Sequence, residues 1–146
     1  MDTNVMIPSR QVTLFHSPNT RSSGALILLE ELGAEYELQV INMKASEQRG
    51  PAYLAINPMG KVPALKHGGA LVTEQVAIFL YLADLFPEAG LAPRVGDPLR
   101  GPYTWTTMFQ LVPALPVIQA YIDRLSARPA VARVKAKDAA LAAAQG

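Results

Sequence analysis

Two short stretches of the sequence carry groups that are arranged for chemistry. Val62 precedes Pro63, which has no N–H to give to a strand ladder and forces Val62 into an extended conformation. Further on, Thr73 and Glu74 mark the point where a strand gives way to a helix. The sequence therefore predicts that a strand with free backbone groups faces a helix N-terminus that opens on an acid.

Cysteine and histidine limit the other kinds of chemistry. The chain has no cysteine, which excludes disulfides, a zinc site built from thiolates and a cysteine nucleophile of its own. Any thiol chemistry must therefore use a thiol from outside. Neither His16 nor His67 has a second ligand at metal spacing, so we expect no bound metal and interpret both as structural. We expect His16 to border the site and His67 to lie in a turn.

The composition excludes several classes of function. The 146 residues are enough for one domain, or one domain with a small helical annex, and 50% of them are hydrophobic. A formal net charge of +1 without a basic stripe argues against nucleic acid and membrane surfaces as partners. The N-terminus lacks a signal-peptide pattern, and no apolar run approaches the ~20 residues of a membrane span. We therefore expect a cytoplasmic protein.

The hydrophobic pattern predicts alternating strands and helices. The predicted elements are strands at 11–16 and 36–43, a helix from Ser22 or Ser23 to a stop at Gly33, a weaker helix at 47–56, paired strands at 62–65 and 70–72, and a helix that opens at Thr73 and Glu74. This order predicts an α/β fold with a parallel crossover and a four-stranded mixed sheet. The last ten residues are alanine-rich and are expected to fray from a helix.

This order of elements, with a proline at the start of the third strand, is that of the thioredoxin-like fold. Three motifs fall in sequence along it: SPNTRSSGALILLEELGAEYEL, YLAINPMGKVPAL and LVTEQVAIFLYLAD. Together they resemble the N-terminal glutathione-binding domain of the cytosolic glutathione transferases, particularly the bacterial members, from residue 12 to about 86. The resemblance implies a transferase that uses glutathione as co-substrate, takes a small hydrophobic electrophile and forms a homodimer.

The resemblance also implies residues that bind glutathione. Val62, before a proline that is cis in this family, would pair through its backbone with the cysteinyl part, as an added strand does. Glu74 matches the acid that holds the γ-glutamyl amino group. Gln75 stands where the family commonly has serine, and its backbone N–H at a helix start can still bind the γ-glutamyl carboxylate. Lys61 matches a position that meets the glycyl carboxylate.

Plainer interpretations of these residues stay open. Pro63 could serve only to protect an edge strand. Glu74 could be an ordinary acid in the first turn of a helix, where it complements the helix dipole. Lys61 would then be a solvated side chain.

The loop at residues 16–23 is the expected place for the group that activates the thiol. The family has a tyrosine, serine or cysteine there, and this loop has neither tyrosine nor cysteine. Thr20 is the nearest hydroxyl match, Ser22 follows, and Asn19 stays a candidate because some bacterial relatives use asparagine. A hydroxyl that donates to the sulfur at the positive end of a helix favours the thiolate, whose parent thiol has an ordinary pKa of about 8.5. Alternatively, Thr20 or Ser22 is only the N-cap of the helix.

The composition changes after Asp84. Prolines and glycines break residues 86–100, and the later segment LPVIQAYIDRLSARPAVARVKAKDA resembles the closing helices of the full-length family, without the usual [ST]-x-x-D capping box before it. We therefore predict an N-terminal extension at 1–10, a glutathione-binding domain at 11–86, a linker at 87–100 and a shortened all-helical remnant at 101–146. Its large apolar residues pack on the N-terminal domain or form an oligomer interface: Tyr103, Trp105, Met108, Phe109, Leu111 and Val112.

The leading hypothesis is a detoxifying enzyme that binds glutathione, activates its thiol and conjugates it to a small electrophile. Two alternatives remain. One is a glutathione-dependent reductase of peroxides or disulfides, and the other is a non-catalytic thioredoxin-fold module that binds a partner through the apolar annex.

Overall fold

A four-stranded mixed sheet organises the N-terminal part of the chain. Its strands are β1 (Val12–His16), β2 (Tyr36–Val40), β3 (Ala64–His67) and β4 (Ala70–Thr73), in the order β2-β1-β3-β4. β1 runs parallel to β2 and antiparallel to β3, which is antiparallel to β4. The computed structural model describes residues 9–108 and 126–145. The predicted α/β fold, parallel crossover and mixed sheet are confirmed.

Five helices accompany the sheet in the described ranges. They are α1 (Ser22–Leu32), α2 (Pro51–Leu54), α3 (Gln75–Leu85), α4 (Arg100–Met108) and α5 (Pro129–Ala144), with short 3₁₀ turns at Glu47–Arg49 and Pro87–Ala89. α1 ends, as predicted, at Gly33, which takes the left-handed conformation with φ of 60°. None of these helices is long and apolar enough to cross a membrane.

Three local expectations are corrected by the structure. The single helix predicted at 47–56 is divided, because Gly50 is extended, with φ of −70° and ψ of 151°, between the 3₁₀ turn and α2. His67 is the last residue of β3 rather than part of a turn. Residues 137–144, expected to fray, belong to α5, because Val134 and Asp138 are buried and dock that helix on the domain.

Alternation along β1 gives the sheet two buried faces. Val12 and Leu14 contribute to the larger core, together with Leu65 and apolar side chains of α1, α3 and α5. Phe15 points to the opposite face, where it packs on Tyr53 of α2 with ring centroids 5.6 Å apart. Since both faces are covered, the strand ends are where functional groups can reach solvent.

Charged contacts join α5 to α1. The Glu30 carboxylate accepts hydrogen bonds from Tyr36 Oη at 2.6 Å, Arg133 Nε at 3.0 Å and Lys137 Nζ at 2.5 Å. Hydrogen bonds from Lys137 and then Tyr36 lower the pKa of Glu30 to about 2. These contacts flank the buried Val134 and hold α5 along α1.

The apolar annex is only partly described. α4 runs unbroken from Arg100 to Met108, and the Arg100 guanidinium lies over the half-buried Tyr103 ring, 5.5 Å from its centroid. Arg100 also donates to Asp84 at 3.0 Å and to the Pro93 carbonyl at 2.8 Å, which fixes α4 to the preceding segment. The predictions for Phe109, Leu111 and Val112 lie outside the described residues.

Replacing Glu30 by Gln tests the junction between α1 and α5. Because the folded-state pKa of Glu30 is depressed, its stabilisation is complete above pH 4.5 and is lost as the pH falls toward about 2. We expect Glu30→Gln to lower the unfolding free energy by about 1 kcal/mol at pH 7, the upper end for a surface ion pair. Urea titration should show this difference shrinking between pH 4.5 and 2. The exposed Glu35, changed to Gln, provides the control; an equal loss there would contradict the assignment.

Candidate functional site

An open cleft of about 600 Å³ lies between the loop before β3 and the start of α3. All five residues predicted to bind a ligand line it: Lys61, Val62, Pro63, Glu74 and Gln75. The structure adds further lining residues that the sequence did not assign to it: Arg21, Asn57, Met59, Thr73 and Val76. The stretch NPMGKVP therefore contributes as a unit, and its leading Asn-Pro turn was the signal for Asn57 and Met59.

The loop before β3 is fixed from beneath by hydrogen bonds. The carbonyl of Lys61 accepts from Tyr53 Oη at 2.7 Å and from Asn57 Nδ2 at 2.8 Å, and Asn57 Oδ1 accepts the N–H of Met59 at 3.2 Å. Asn57 is only 1% exposed, so these bonds are shielded from water. Burial raises the pKa of Tyr53, which stays a neutral donor.

Val62 follows this supported carbonyl and lines the cleft. The peptide bond between Val62 and Pro63 is cis, as the family resemblance implied. β3 begins only at Ala64, so the strand predicted at 62–65 starts two residues later. Within residues 9–108 and 126–145, neither the N–H nor the C=O of Val62 has a hydrogen-bond partner. These two groups can pair with an extended ligand.

The turn from β4 into α3 has an unusual backbone at Glu74. This residue has φ of 68° and ψ of 125°, and α3 begins only at Gln75, so Glu74 lies before the helix rather than in its first turn. A residue with a Cβ rarely adopts positive φ, and such strain collects at binding sites. Glu74 is exposed and its side chain does not cap α3, whose first N–H groups follow it directly.

Gln75 fits against α1 through a glycine. A Cβ added to Gly24 would come within 2.2 Å of Gln75 Nε2 and 3.2 Å of the Phe79 ring, so a larger residue at this position of α1 would displace the Gln75 amide. The amide of Gln75 therefore packs on α1. Its backbone N–H, at the start of α3, is the group that the cleft can use for an anion.

The charges around the cleft are of both signs. Arg21 and Lys61 supply two exposed cations, and Glu74 supplies one exposed anion. No group of three His, Cys, Asp or Glu side chains in the described part of the chain is placed to hold a metal. The arrangement suits a zwitterionic ligand that carries more negative than positive charge.

The three candidates for thiol activation lie together at the entrance to α1. The Thr20 hydroxyl is 2.8 Å from the Ser17 carbonyl and 2.7 Å from Ser22 Oγ, while Ser22 is fully buried. Asn19 is exposed in the left-handed conformation with φ of 58°. Of this loop, only Arg21 lines the cleft. The N-cap residue of α1 is Arg21, whose side chain makes no capping hydrogen bond. Neither Thr20 nor Ser22 is therefore the N-cap.

His16 lies in a buried polar network, which the sequence did not predict. It is 0% exposed, so it does not border the cleft; its Nε2 is 2.9 Å from Asp138 Oδ1 and its Nδ1 is 2.8 Å from Ser22 Oγ. Burial lowers the pKa of His16, and the nearby Asp138 carboxylate only partly opposes this. Asp138 also accepts the N–H of Asn19 at 3.1 Å and a hydrogen bond from the Ser23 hydroxyl. Asp138 was missed because it lies 122 residues from its partner, in a tail without a motif.

Comparison with known proteins places these features in a family. A family model described as the N-terminal domain of glutathione S-transferase matches residues 10–84. The chain is 41% identical over 83 residues to protein LigF of Sphingobium sp. and 42% identical over 86 residues to glutathione S-transferase GstA of Escherichia coli O157:H7. These matches cover 57% and 58% of this chain but only 32% and 43% of the relatives, so it spans less than half their length.

A solved structure extends the comparison. A glutathione transferase homolog from Sulfitobacter, solved with bound glutathione, superposes with a TM-score of 0.63 at 30% identity. The superposition covers 93% of this chain and 67% of that one.

Substitutions at Glu74 test the backbone strain. Strain of this kind costs about 1–3 kcal/mol, and glycine is free of it. We expect urea unfolding to show Glu74→Gly about 1 kcal/mol more stable than Glu74→Ala. At ordinary helix and strand positions the order is the reverse, because a glycine variant is normally less stable than an alanine variant by about 0.5–1 kcal/mol. Ala139→Gly, at an exposed position of α5, should show that normal loss. A Glu74→Ala variant more stable than Glu74→Gly would contradict strain at this turn.

Proposed function

Because the chain belongs to the glutathione S-transferase family through the N-terminal domain that the family model matches, we propose that it binds glutathione in the cleft and activates its thiol for transfer to a small electrophile. The observation that carries this proposal is the convergence of the Val62 backbone and the start of α3 on one cleft. The relatives are longer than this chain. The electrophile, like a homodimeric state, therefore belongs to the proposal.

The chemistry of glutathione matches the groups in the cleft. The tripeptide carries one ammonium group, two carboxylates and a thiol at neutral pH, which gives it one net negative charge. Two cations and one anion border the cleft, so the charge of the site complements that of the ligand. Attraction between them speeds association and orients the ligand.

Backbone pairing fixes the middle of the ligand. The cysteinyl residue of glutathione has one N–H and one C=O, and Val62 presents one of each. Two reciprocal hydrogen bonds form a short antiparallel bridge, as when a peptide adds to a sheet edge. This bridge sets the direction of the cysteinyl side chain and leaves the two ends of glutathione to the charged groups.

The ends of glutathione are assigned by charge. Glu74 accepts hydrogen bonds from the γ-glutamyl ammonium group, and the N–H of Gln75 at the start of α3 donates to the γ-glutamyl carboxylate. Lys61 then pairs with the glycyl carboxylate at the other end of the cleft. Pro63 shapes the turn that brings Val62 to the ligand.

The thiol requires a group in the loop before α1. Thr20 is our first choice, since it carries a hydroxyl, is only partly buried and precedes Arg21, which lines the cleft, whereas Ser22 is fully buried. Asn19 stands next to it and serves as the second candidate. The positive end of α1 adds to the effect of a hydroxyl there, because it favours negative charge on the sulfur.

Calorimetric titration with glutathione tests the binding site. Glu74→Gln keeps the shape of the side chain but removes its charge, so we expect glutathione to bind ten- to a hundredfold more weakly, as for the loss of a charged hydrogen bond. Glu88→Gln, which makes the same change at an exposed acid outside the cleft, should bind normally. Absence of binding to the unmodified protein at millimolar glutathione would refute the proposal.

A conjugation assay separates an enzyme from a binding module. We expect the protein to accelerate the reaction of glutathione with a chlorinated nitrobenzene, and Thr20→Ala to lose most of that rate while still binding glutathione. Binding without any acceleration would favour the non-catalytic module. Turnover with a hydroperoxide or a mixed disulfide, but not with the nitrobenzene, would favour the reductase.

A further inference from the structure

A continuous chain of hydrogen bonds runs from α5 to the loop before α1. It passes from Asp138 to His16 at 2.9 Å, from His16 to Ser22 at 2.8 Å and from Ser22 to Thr20 at 2.7 Å. Asp138 is 4% exposed, and both His16 and Ser22 are 0% exposed. Thr20 is partly exposed and precedes Arg21, which lines the cleft, so these hydrogen bonds lead from a buried carboxylate to the edge of the cleft.

The order of residues resembles a serine nucleophile with its histidine and acid, but the geometry excludes that role. Ser22 is fully buried, and its oxygen also lies 3.0 Å from both the N–H and the carbonyl of Ser17. A substrate cannot reach it without unfolding the loop. The chain therefore acts on a ligand only through its outer member, Thr20.

The donors and acceptors give the chain a direction. Asp138 accepts at all its contacts, from His16, the Asn19 N–H and the Ser23 hydroxyl, so His16 donates from Nε2. Burial lowers the pKa of His16, which favours the neutral ring, with Nδ1 as an acceptor for the Ser22 hydroxyl.

The donor and acceptor roles of the Thr20 hydroxyl can be assigned in the same way. Ser22 Oγ accepts from the Ser17 N–H and has room for one more donor, which the Thr20 hydroxyl fills. The Ser17 carbonyl, at 2.8 Å, is the alternative acceptor for Thr20. In either case the hydrogen of Thr20 is used within the loop. Its oxygen accepts the N–H of Ser22 at 3.2 Å and keeps one lone pair for a further donor.

We propose that this series of hydrogen bonds, from Thr20 through Ser22 to His16, takes up the proton of the glutathione thiol and delivers it to His16. The inference rests on the proposed function, with the sulfur bound at Thr20. The S–H bond breaks with its electron pair left on sulfur, and the proton passes to Thr20 Oγ1. The original hydroxyl proton of Thr20 moves to Ser22 Oγ, and that of Ser22 moves to His16 Nδ1. The products are a thiolate and an imidazolium paired with the Asp138 carboxylate.

The transfer reverses the hydrogen bonds from His16 outward to Thr20, while His16 Nε2 still donates to Asp138. Afterwards His16 donates to Ser22, Ser22 donates to Thr20, and Thr20 donates to the thiolate. The residues that remove the proton therefore stabilise the product that they create. His16 and Asp138 touch no substrate and are positioning residues that act through the two hydroxyls. Burial of the ring lowers the pKa of His16, and Asp138 opposes this by favouring the imidazolium.

The test measures the pKa of the thiol in bound glutathione, from the ultraviolet absorbance of the thiolate as a function of pH. We expect His16→Gln to raise that pKa by about one unit, which leaves about tenfold less thiolate at a fixed pH below it. The affinity for glutathione at acidic pH, where the thiol is protonated, should change less than twofold. Asp138→Asn should shift the pKa in the same direction.

His67→Gln is the matched control. His67 is also hydrogen-bonded on both ring nitrogens, to Tyr81 and to the carbonyl of Ser9. It lies at the end of β3 and takes no part in the hydrogen bonds that join Asp138 to Thr20. We expect no change in the thiol pKa. A shift as large as that of His16→Gln would overturn the proposal, because the effect would then be unspecific.

Substitutions at Thr20 keep the proposal testable if the buried variants do not fold. Thr20→Val removes the outermost hydroxyl without changing the size of the side chain, and should raise the thiol pKa as His16→Gln does; Thr20→Ser should restore it. An unchanged pKa in folded His16→Gln or in Thr20→Val, with glutathione bound, would overturn the proton chain alone. Failure of the unmodified protein to bind glutathione would overturn the proposed function as well.

Discussion

The carboxylate of Asp138 joins the last helix to the loop before α1, and the local order of that loop depends on it. A buried carboxylate costs several kcal/mol unless it is paired and hydrogen-bonded. Here His16, the Asn19 N–H and the Ser23 hydroxyl all donate to it. The dependence is mutual, because the loop supplies the donors that let the acid be buried, and the acid fixes the left-handed turn at Asn19.

The cleft lies where the loop before β3 meets the start of α3, and main-chain groups line it there. Asn57 and Tyr53 support the Lys61 carbonyl, and the positive φ of Glu74 sets where α3 begins. Backbone N–H and C=O groups do not change when side chains do. This explains how the cleft can keep its form with a glutamine at position 75, where the family commonly has serine: the helix-start N–H remains, and the amide fills the space over Gly24.

The sequence predicted those parts of the fold that local patterns control. The spacing of leucines in α1, the stop at Gly33 and the alternation in β1 depend on near neighbours, so the sheet and its crossover followed from them. The residues that meet in the cleft followed from motif resemblance. The backbone of Glu74 was not predictable, because nothing in its side chain marks a positive φ. Asp138 was hidden in an alanine-rich tail, and its role depends on a contact across 122 residues.

The sequence nevertheless held a signal for the buried network. A histidine at the end of a core strand is followed within seven residues by four hydroxyl side chains. The loop pairs most of these groups with one another, but the second ring nitrogen of a buried histidine needs a polar partner from elsewhere in the chain. α5 supplies that partner, and it is held against α1 by its own contacts to Glu30 and Glu31. A helix from the C-terminal segment therefore completes the polar side of the loop before α1.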